Sequence, residues 1–279
     1  MRSTYQPDSV SAYFDILGEK EWDRLARKPA DEVSLHIHTH YLRKHINPKA
    51  KVLEIGAGPG RFTQVLAELG AEIWVADISE KQLELNRNLS KEHGFEKAVV
   101  DWRQLDICDL SVFESAFFDA VVAYGGPFSY VLDQRDLALA ESMRVLKPGG
   151  IILLSVMSLW GTAHSALEGV LKMPPGANQK IIPTGDITAE TYPGRRGNFM
   201  HMFRAQELLA WLEIAGLVTL DKSAANCLSL VWHEMLADVR KEPDRWAELL
   251  RMELEACAEE GCLDMGTHII AVVKKMYDI

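Results

Sequence analysis

The sequence predicts an α/β fold in which amphipathic helices cover both faces of a mostly parallel sheet. Between residues 51 and 156, short apolar runs alternate with segments whose apolar residues recur at helical spacing, the pattern of successive β-α-β units. The run at 118–124 is almost entirely apolar, as expected for a central strand that is covered on both sides. With 279 residues and 48% apolar content, the chain can bury the core of one large domain with additions.

Seven strands are predicted from short apolar runs that are bounded by turn residues. They cover residues 51–55, 72–76, 99–105, 118–124, 151–157, 217–222 and 267–273. The run Leu146-Lys147-Pro148-Gly149-Gly150 is expected to form the turn before the fifth strand.

Helical spacing and helix-end signals place helices between these strands. Phe62, Val65, Leu66 and Leu69 share one face, and Gly70 stands where a left-handed C-terminal cap is expected. Ser79 and Gln82 form a capping-box pattern that opens the next helix. Further helices are predicted at residues 134–145, 205–215, 228–240 and 243–260, with a helical region at 9–46 before the first strand.

The connection at residues 158–202 has scattered Pro and Gly and one modest helical stretch near 163–171. A connection that long within a compact domain is usually functional. The predicted organisation is therefore an N-terminal helical lid at 1–47 and a core domain at 48–279, with a substrate-side insertion at 158–202.

Composition and charge disfavour several classes of function. The formal net charge of −10 opposes binding to a phosphate backbone, so a nucleic-acid partner is not expected. No apolar run approaches the roughly 20 residues that cross a bilayer, and the N-terminus lacks the pattern of a secretory signal. The four cysteines show no C-x-x-C spacing, which indicates reduced, structural thiols. We expect a cytoplasmic monomer or homodimer without a membrane partner.

Three glycines mark the junction of the first strand and the first crossover helix, in the run Glu54-Ile55-Gly56-Ala57-Gly58-Pro59-Gly60. Glycine suits this position because a side chain would keep a ligand from the backbone and because tight turns often require positive φ. Helix N-terminal amides add affinity for anions. In the dinucleotide fingerprint the third glycine comes one residue later, where this chain has Arg61. The spacing therefore argues against NAD or FAD.

The pattern Glu54-x-Gly56-x-Gly58-x-Gly60 resembles the first motif of class I S-adenosylmethionine (SAM) dependent methyltransferases. The resemblance implies a Rossmann-like, doubly wound sheet of seven strands with a reversed last strand, and SAM as the cofactor with S-adenosylhomocysteine (SAH) as the product. It extends strongly over residues 51–157 and moderately over 203–222. The later features that agree are Asp77, Asp106-Ile107, the 118–126 stretch, the 144–150 turn and the final pair of strands.

The same resemblance implies roles for individual residues. Asp77 would hold both ribose hydroxyls, which suits a carboxylate because it accepts two hydrogen bonds from a diol. Asp106 would bind the exocyclic amine of adenine and the Ile107 amide a ring nitrogen, while Ile78 packs on the ring face. Asp101 and Asp109 are alternatives to Asp106. The predicted cofactor-binding residues are Glu54, Gly56, Ala57, Gly58, Gly60, Asp77, Ile78, Asp106, Ile107 and Tyr124.

The acceptor side resembles the small-molecule branch of the family. No Asn-Pro-Pro-Tyr or Asp-Pro-Pro-Tyr follows the fourth strand, where this chain has Tyr124-Gly125-Gly126-Pro127. The segments Tyr13-Phe14-Asp15 and Glu21-Trp22-Asp23-Arg24-Leu25 resemble a lid region. We expect this lid, the 124–130 loop and the insertion to enclose the acceptor, because ligands gather at the carboxyl ends of the strands.

Histidine is the natural general base near neutral pH. The candidate catalytic residues are His201, which immediately precedes the helix at 205–215, then His164 and Tyr124. For Trp160 and Tyr192 in the insertion, packing is the simpler interpretation. Arg195 and Arg196 are either a clamp for an acceptor anion or a solvated pair.

No metal site is predicted. His36, His38 and His40 lie close in sequence, but on a helix only His36 and His40 share a face, and no carboxylate or cysteine stands at ligand spacing. The leading hypothesis is in-line methyl transfer from SAM to an O, N or C atom of a small molecule. The alternatives are a SAM-binding regulatory or scaffold protein without turnover and a nicotinamide-dependent oxidoreductase.

Overall fold

A seven-stranded sheet forms the centre of the fold. The computed structural model describes residues 5–23, 26–195 and 198–276. The main sheet has the strand order β3-β2-β1-β4-β5-β9-β8, in which β9 runs antiparallel to both of its neighbours. This arrangement confirms the predicted Rossmann-like sheet with a reversed last strand. The strands are β1 Lys51–Ile55, β2 Glu72–Asp77, β3 Val99–Gln104, β4 Phe118–Ala123, β5 Leu146–Met157, β6 Asp186–Ile187, β7 Met200–His201, β8 Leu217–Ala224 and β9 His268–Lys275, of which β6 and β7 form a separate hairpin.

Helices cover both faces of the sheet. Alternate residues of a strand point to opposite faces, so Val52 and Leu53 of β1 belong to two different apolar clusters. The helices are α1 Pro7–Leu17, α2 Lys20–Asp23, α3 Pro29–His45, α4 Arg61–Glu68, α5 Glu80–Glu92, α6 Pro127–Tyr130, α7 Arg135–Val145, α8 Leu159–Ser165, α9 Leu167–Leu171, α10 Ala177–Thr184, α11 Ala205–Ile214, α12 His233–Val239 and α13 Pro243–Ala258. None of these described helices is long and apolar enough to cross a bilayer.

Of two predicted helix-end signals, the Gly70 cap is formed, and the capping box of Ser79 and Gln82 is formed only in part. Gly70 has a φ of 77° just beyond α4, which confirms its place as a left-handed cap. The Ser79 hydroxyl accepts a hydrogen bond from the backbone N–H of Gln82 at 3.1 Å, as an N-cap does. The reciprocal half of the predicted capping box is not formed, because the Ser79 N–H donates to Asp77 Oδ1, while Gln82 Nε2 donates to the Phe14 carbonyl at 2.9 Å and to the Gly18 carbonyl.

The segments around the fifth strand differ from the prediction. The predicted turn at 146–150 lies within β5, which starts at Leu146 and pairs with β4 through a register shift. The insertion contains three helices, α8 to α10, and the β6–β7 hairpin rather than one helical stretch. Further on, the predicted helix at 228–240 is only the shorter α12.

The N-terminal helices belong to two layers. Val33, Ile37 and Leu42 of α3 are fully buried in the same apolar cluster as β1 and β4, so α3 is packed as a core helix. By contrast, α1 and α2 have no buried residues. They lie instead against the carboxyl ends of β1 and β2, where the Ser11 hydroxyl donates to the Ile78 carbonyl at 3.2 Å.

Candidate active site

The glycine turn between β1 and α4 is tightly packed. Gly56, Gly58 and Gly60 all have positive φ, at 67°, 54° and 104°. A Cβ on Gly56 would lie 2.7 Å from Pro127, and one on Gly60 would lie 2.8 Å from the Asn86 amide nitrogen. By contrast, a Cβ on Gly58 would meet no atom closer than 3.8 Å. The turn therefore requires glycine for its conformation, and at Gly58 its backbone remains accessible to a ligand.

Asp77 closes this turn at the end of β2. Its Oδ2 accepts the Gly58 N–H at 2.8 Å and its Oδ1 accepts the Ser79 N–H at 2.9 Å. Burial raises the pKa of Asp77 to about 6, although both amide hydrogen bonds favour the carboxylate. The side chain is thus poised to change its charge just below neutral pH.

Glu54 lies behind the turn. Its carboxyl group accepts a hydrogen bond from the Thr63 hydroxyl of α4 at 2.7 Å, and the residue is only 2% exposed. Burial raises the pKa of Glu54 to about 8, with the Thr63 bond opposing the rise. Glu54 and Gly60 do not line the cleft described below, so their part in cofactor binding stays a prediction.

Asp106 follows β3 and is held by two donors. The Tyr5 hydroxyl donates to its Oδ2 at 2.9 Å, and the Cys108 N–H donates to its Oδ1 at 2.8 Å. The two alternative acids lie elsewhere, since Asp101 pairs with Arg103 at 2.5 Å and Asp109 accepts the Ser111 N–H. Of the three acids, only Asp106 lines the cleft.

One cleft of about 850 Å³ at the carboxyl ends of the strands brings most of the predicted cofactor residues together. Gly56, Ala57, Gly58, Asp77, Ile78, Asp106, Ile107 and Tyr124 all line it. The Tyr124 hydroxyl is buried and has no hydrogen-bond partner among the residues that the structure describes. It is thus available to a bound molecule.

The N-terminal lid contributes cleft residues that the sequence analysis did not assign. Tyr5, Val10, Phe14 and Glu21 line the cleft, and no motif marks them because each is distant in sequence from the glycine turn. Arg61, noted only as a departure from the dinucleotide pattern, lines it as well.

Arg61 also ties the lid to the start of α4. Its Nε donates to the Trp22 carbonyl at 2.8 Å, and its guanidinium lies 3.8 Å from the centroid of the Trp22 ring. Trp22 in turn stacks on His93, with 5.1 Å between ring centroids. Arg24 and Leu25 of the predicted lid segment lie outside the described residues.

The insertion does not reach this cleft, because no described residue of 158–202 is among its lining residues. His201 lies on β7 and is buried, with its Nδ1 2.7 Å from Asp186 and its Nε2 2.8 Å from Glu207. Both ring nitrogens are therefore engaged by carboxylates, and the arrangement does not place His201 as a base for an acceptor in the cleft.

The other residues singled out in the insertion also lie away from the cleft. His164 is exposed on α8, and Tyr192 packs against the apolar cluster of the insertion. Trp160 is exposed beneath the Arg204 guanidinium. Arg195 donates to the Asn198 carbonyl, and Arg196 lies outside the described residues.

The three histidines of α3 do not come together as a metal site. Within 5–23, 26–195 and 198–276, no group of three or more His, Cys, Asp or Glu side chains is arranged to hold a metal ion. His38 is buried with its Nδ1 2.8 Å from the Ser34 carbonyl. Its ring packs against Tyr124 and Phe62, with centroid distances of 4.6 and 5.3 Å, so it supports the wall of the cleft.

Comparisons with known proteins agree with this geometry. Residues 53–154 match the family model described as a methyltransferase domain. The chain is 27% identical over 212 residues to a ubiquinone biosynthesis O-methyltransferase of Xanthomonas axonopodis pv. citri, covering 75% of this chain and 80% of the relative.

Two solved structures have the same fold at low sequence identity. One is the 1,6-didemethyltoxoflavin-N1-methyltransferase of Burkholderia thailandensis with bound 1,6-didemethyltoxoflavin and SAH. It has a TM-score of 0.59 and 16% identity, covering 99% of this chain and 93% of that one. The other is the geranyl diphosphate C-methyltransferase of Streptomyces coelicolor, with a TM-score of 0.52 and 13% identity, covering 85% of this chain and 79% of that one.

Proposed function

Because the chain is a class I SAM-dependent methyltransferase that acts on a small molecule, we propose that its acceptor is an apolar, aromatic compound. The proposal rests mainly on the cleft wall formed by the lid and the loop after β4. Phe14, Tyr124, Pro127, Tyr130 and Val131 line this wall, and the Phe14 and Tyr130 rings meet edge to face at 5.4 Å. Such walls favour flat, weakly polar ligands.

The charged residues of the cleft suit the cofactor. The charged residues among its described lining residues are three acids, Glu21, Asp77 and Asp106, and one arginine, Arg61. Because acids outnumber basic residues, the charge of the cleft favours a ligand with a cationic sulfonium. In this proposal the Gly56-to-Gly60 turn admits the amino-acid part of SAM. Asp77 accepts the ribose hydroxyls, while Asp106 and Ile107 bind adenine, with Ile78 against the ring.

The proposed mechanism relies on alignment. When bound, SAM would supply a methyl carbon activated by its positive sulfur, and the sulfur would leave as SAH with the electron pair of the broken bond. Proximity and orientation lower such barriers by on the order of 7–11 kcal/mol in well-oriented cases. The described lining side chains position the acceptor and exclude water, and the proton of a methylated phenol or ring N–H is released to solvent. We assign the buried Tyr124 hydroxyl to orient either the methyl acceptor or SAM, the methyl donor.

Two of the similar proteins support an oxygen or nitrogen acceptor. The Xanthomonas relative is an O-methyltransferase of ubiquinone biosynthesis, and the Burkholderia structure holds 1,6-didemethyltoxoflavin. We therefore propose that this chain methylates a hydroxyl oxygen or a ring nitrogen of an aromatic compound.

Purified full-length protein with SAM and a pooled library of small acceptors tests the proposal. Mass spectrometry should detect a methyl gain on aromatic phenols or ring nitrogens together with SAH, and Asp77→Ala should suppress both. Glu255→Ala, which truncates an exposed glutamate of α13, serves as the matched control and should retain activity. Methyl gain confined to charged aliphatic acceptors would refute the acceptor class, and SAM binding without any turnover would refute the reaction.

A further inference from the structure

Tyr5 bridges two loops at one end of the cleft. Its hydroxyl donates to Asp106 Oδ2 at 2.9 Å, and its backbone N–H donates to Asp133 Oδ1 at 2.9 Å. Asp106 follows β3 and Asp133 follows α6, so Tyr5 joins the loop after β3 to the segment after α6. The pairing joins residues 101 positions apart in sequence, and both Tyr5 and Asp106 line the cleft.

In the hydrogen bond between Tyr5 and Asp106, the Tyr5 hydroxyl is the donor. Burial first and then the negative charge of Asp106 hold the pKa of Tyr5 well above its usual range, so the phenol remains protonated and donates. The Cys108 N–H holds the other carboxylate oxygen at 2.8 Å. Since each carboxylate oxygen accepts two hydrogen bonds, Asp106 keeps acceptor capacity while both of its oxygens are fixed.

The segment that carries Tyr5 is itself anchored. On α1, the Ser11 hydroxyl donates to the Ile78 carbonyl at 3.2 Å, and Asp15 accepts the Ser79 hydroxyl at 2.5 Å. These contacts attach the helix to the loop that follows Asp77. Tyr5 lies just before α1. The helix next to it is therefore held at two further points beside Asp77.

We propose that Tyr5 is a positioning residue for adenine recognition, which orients the Asp106 carboxylate to accept the exocyclic amine of the cofactor. This inference rests on the proposed function, because Asp106 is an adenine-binding acid only if the cleft holds SAM. It assigns part of cofactor specificity to the N-terminal lid, outside the matched domain at 53–154. The opposing interpretation, that Tyr5 occupies Asp106 and competes with the ligand, predicts the opposite change in affinity.

Tyr5→Phe tests the proposal because it removes one hydroxyl and retains the backbone bond to Asp133. Calorimetry would compare SAH with S-inosylhomocysteine, in which a carbonyl replaces the exocyclic amine. We expect Tyr5→Phe to weaken SAH binding by about threefold to tenfold, the range for one typical hydrogen bond, because Tyr5 acts on the ligand only through Asp106. Binding of the inosine analogue should change by less than about twofold, because the analogue lacks the exocyclic amine that Asp106 is proposed to bind.

A matched control and a double mutant isolate the path through Asp106. Tyr192→Phe removes a phenol hydroxyl from the insertion, away from the cleft, and should leave both affinities unchanged. In an Asp106→Ala background, Tyr5→Phe should weaken SAH binding no further, because residues that act through one contact are not additive.

An unchanged or tighter SAH affinity in Tyr5→Phe would overturn the inference, and so would an equal loss for both ligands, which indicates a general loosening of the lid. Failure of the wild-type chain to bind SAH would refute the proposed function itself, so the two failures are distinguishable.

Discussion

At the scale of single residues, the proposed role of Asp77 predicts that cofactor binding depends on pH. If the ribose hydroxyls donate to Asp77, the ionised carboxylate is the form that binds. Because the pKa of Asp77 is raised to about 6, affinity for SAH should fall as pH decreases through that value. Between about pH 7 and pH 5 we expect a loss of roughly tenfold in the association constant. Asp77→Asn should bind weakly at both values, with little pH dependence.

Calorimetry at the two pH values measures this effect. The amino-acid part of SAH does not titrate in that window, and Glu54 has its pKa near 8, above it. A wild-type affinity that stays constant across the window would contradict the assignment of Asp77 to the ribose.

His201 gives a second pH effect, this time on stability. Burial disfavours its charged form, but hydrogen bonds from His201 to Asp186 and Glu207 outweigh that cost and raise its pKa. Burial acts to raise the pKa of Glu207, but the hydrogen bond and charge of His201, the Arg204 N–H and the charge of Arg135 together lower it. Arg135, 3.4 Å from Glu207, is the nearby cation.

The signs follow from linkage. The contribution of His201 is fully present below the ordinary pKa of histidine and is lost as pH rises through its raised value. The contribution of Glu207 is present above the ordinary pKa of glutamate and is lost as pH falls through its lowered value. The wild-type chain should therefore lose stability as pH rises above the ordinary pKa of histidine, about 6.5, whereas His201→Gln should lose less. Urea unfolding below and well above that pH tests this, and equal losses in the two proteins would contradict it.

At the scale of elements, a single carboxylate fixes the loop between β8 and α12. Glu253 of α13 is fully buried and accepts the backbone N–H groups of Cys227, Leu228 and Ser229 at 2.9, 3.2 and 2.6 Å. Glu253→Ala leaves those donors unsatisfied. At about 1–3 kcal/mol for each buried, unsatisfied group, the free energy of unfolding should decrease by about 3 kcal/mol or more.

Denaturant unfolding compares this variant with Glu255→Ala, which truncates an exposed glutamate on the same helix and so changes helix propensity in the same way. We expect the control to stay within about 0.5 kcal/mol of wild type. Similar losses in both variants would show that the loop does not depend on the Glu253 carboxylate.

The elements also show what sequence patterns can and cannot predict. The strands and α4 could be predicted because their apolar periodicity and the Gly70 cap are local signals. Inside the insertion, Pro183, Gly176 and Gly185 suggested a loop, yet both glycines have left-handed conformations at the two ends of α10. The same residues that interrupt a helix also cap one, and the sequence alone does not decide between these roles.

The residues of the candidate site likewise divide into those that sequence patterns can predict and those that they cannot. The place of Asp77 and Asp106 beside the cleft could be predicted because parallel strands bring their carboxyl ends to one edge. His201 was misplaced because the β6–β7 hairpin turns its ring toward Asp186 and Glu207. Tyr5 could not be predicted, since no local pattern records a contact with a residue 101 positions away.

At the scale of the whole molecule, the cleft joins parts of the chain that are distant in sequence. The N-terminal segment through Tyr5 and Phe14, the glycine turn, and the loops after β2, β3 and β4 all line it. A ligand that contacts them together binds only the folded chain, so binding must raise the free energy of unfolding. Lid and core should consequently melt as one unit when the ligand is present.

The expected size of this effect is set by mass action. At an SAH concentration of about one hundred times the Kd, the free energy of unfolding increases by about 2.7 kcal/mol. For a domain of this size each kcal/mol raises Tm by roughly 2–4 °C, so we expect a rise of about 5–10 °C by calorimetry. At the same SAH concentration, Asp77→Ala should show about half that rise, because a tenfold weaker Kd removes about 1.4 kcal/mol. A separate, unshifted transition would show that part of the chain folds independently of the cleft, and no shift at all would contradict SAH binding to the folded protein.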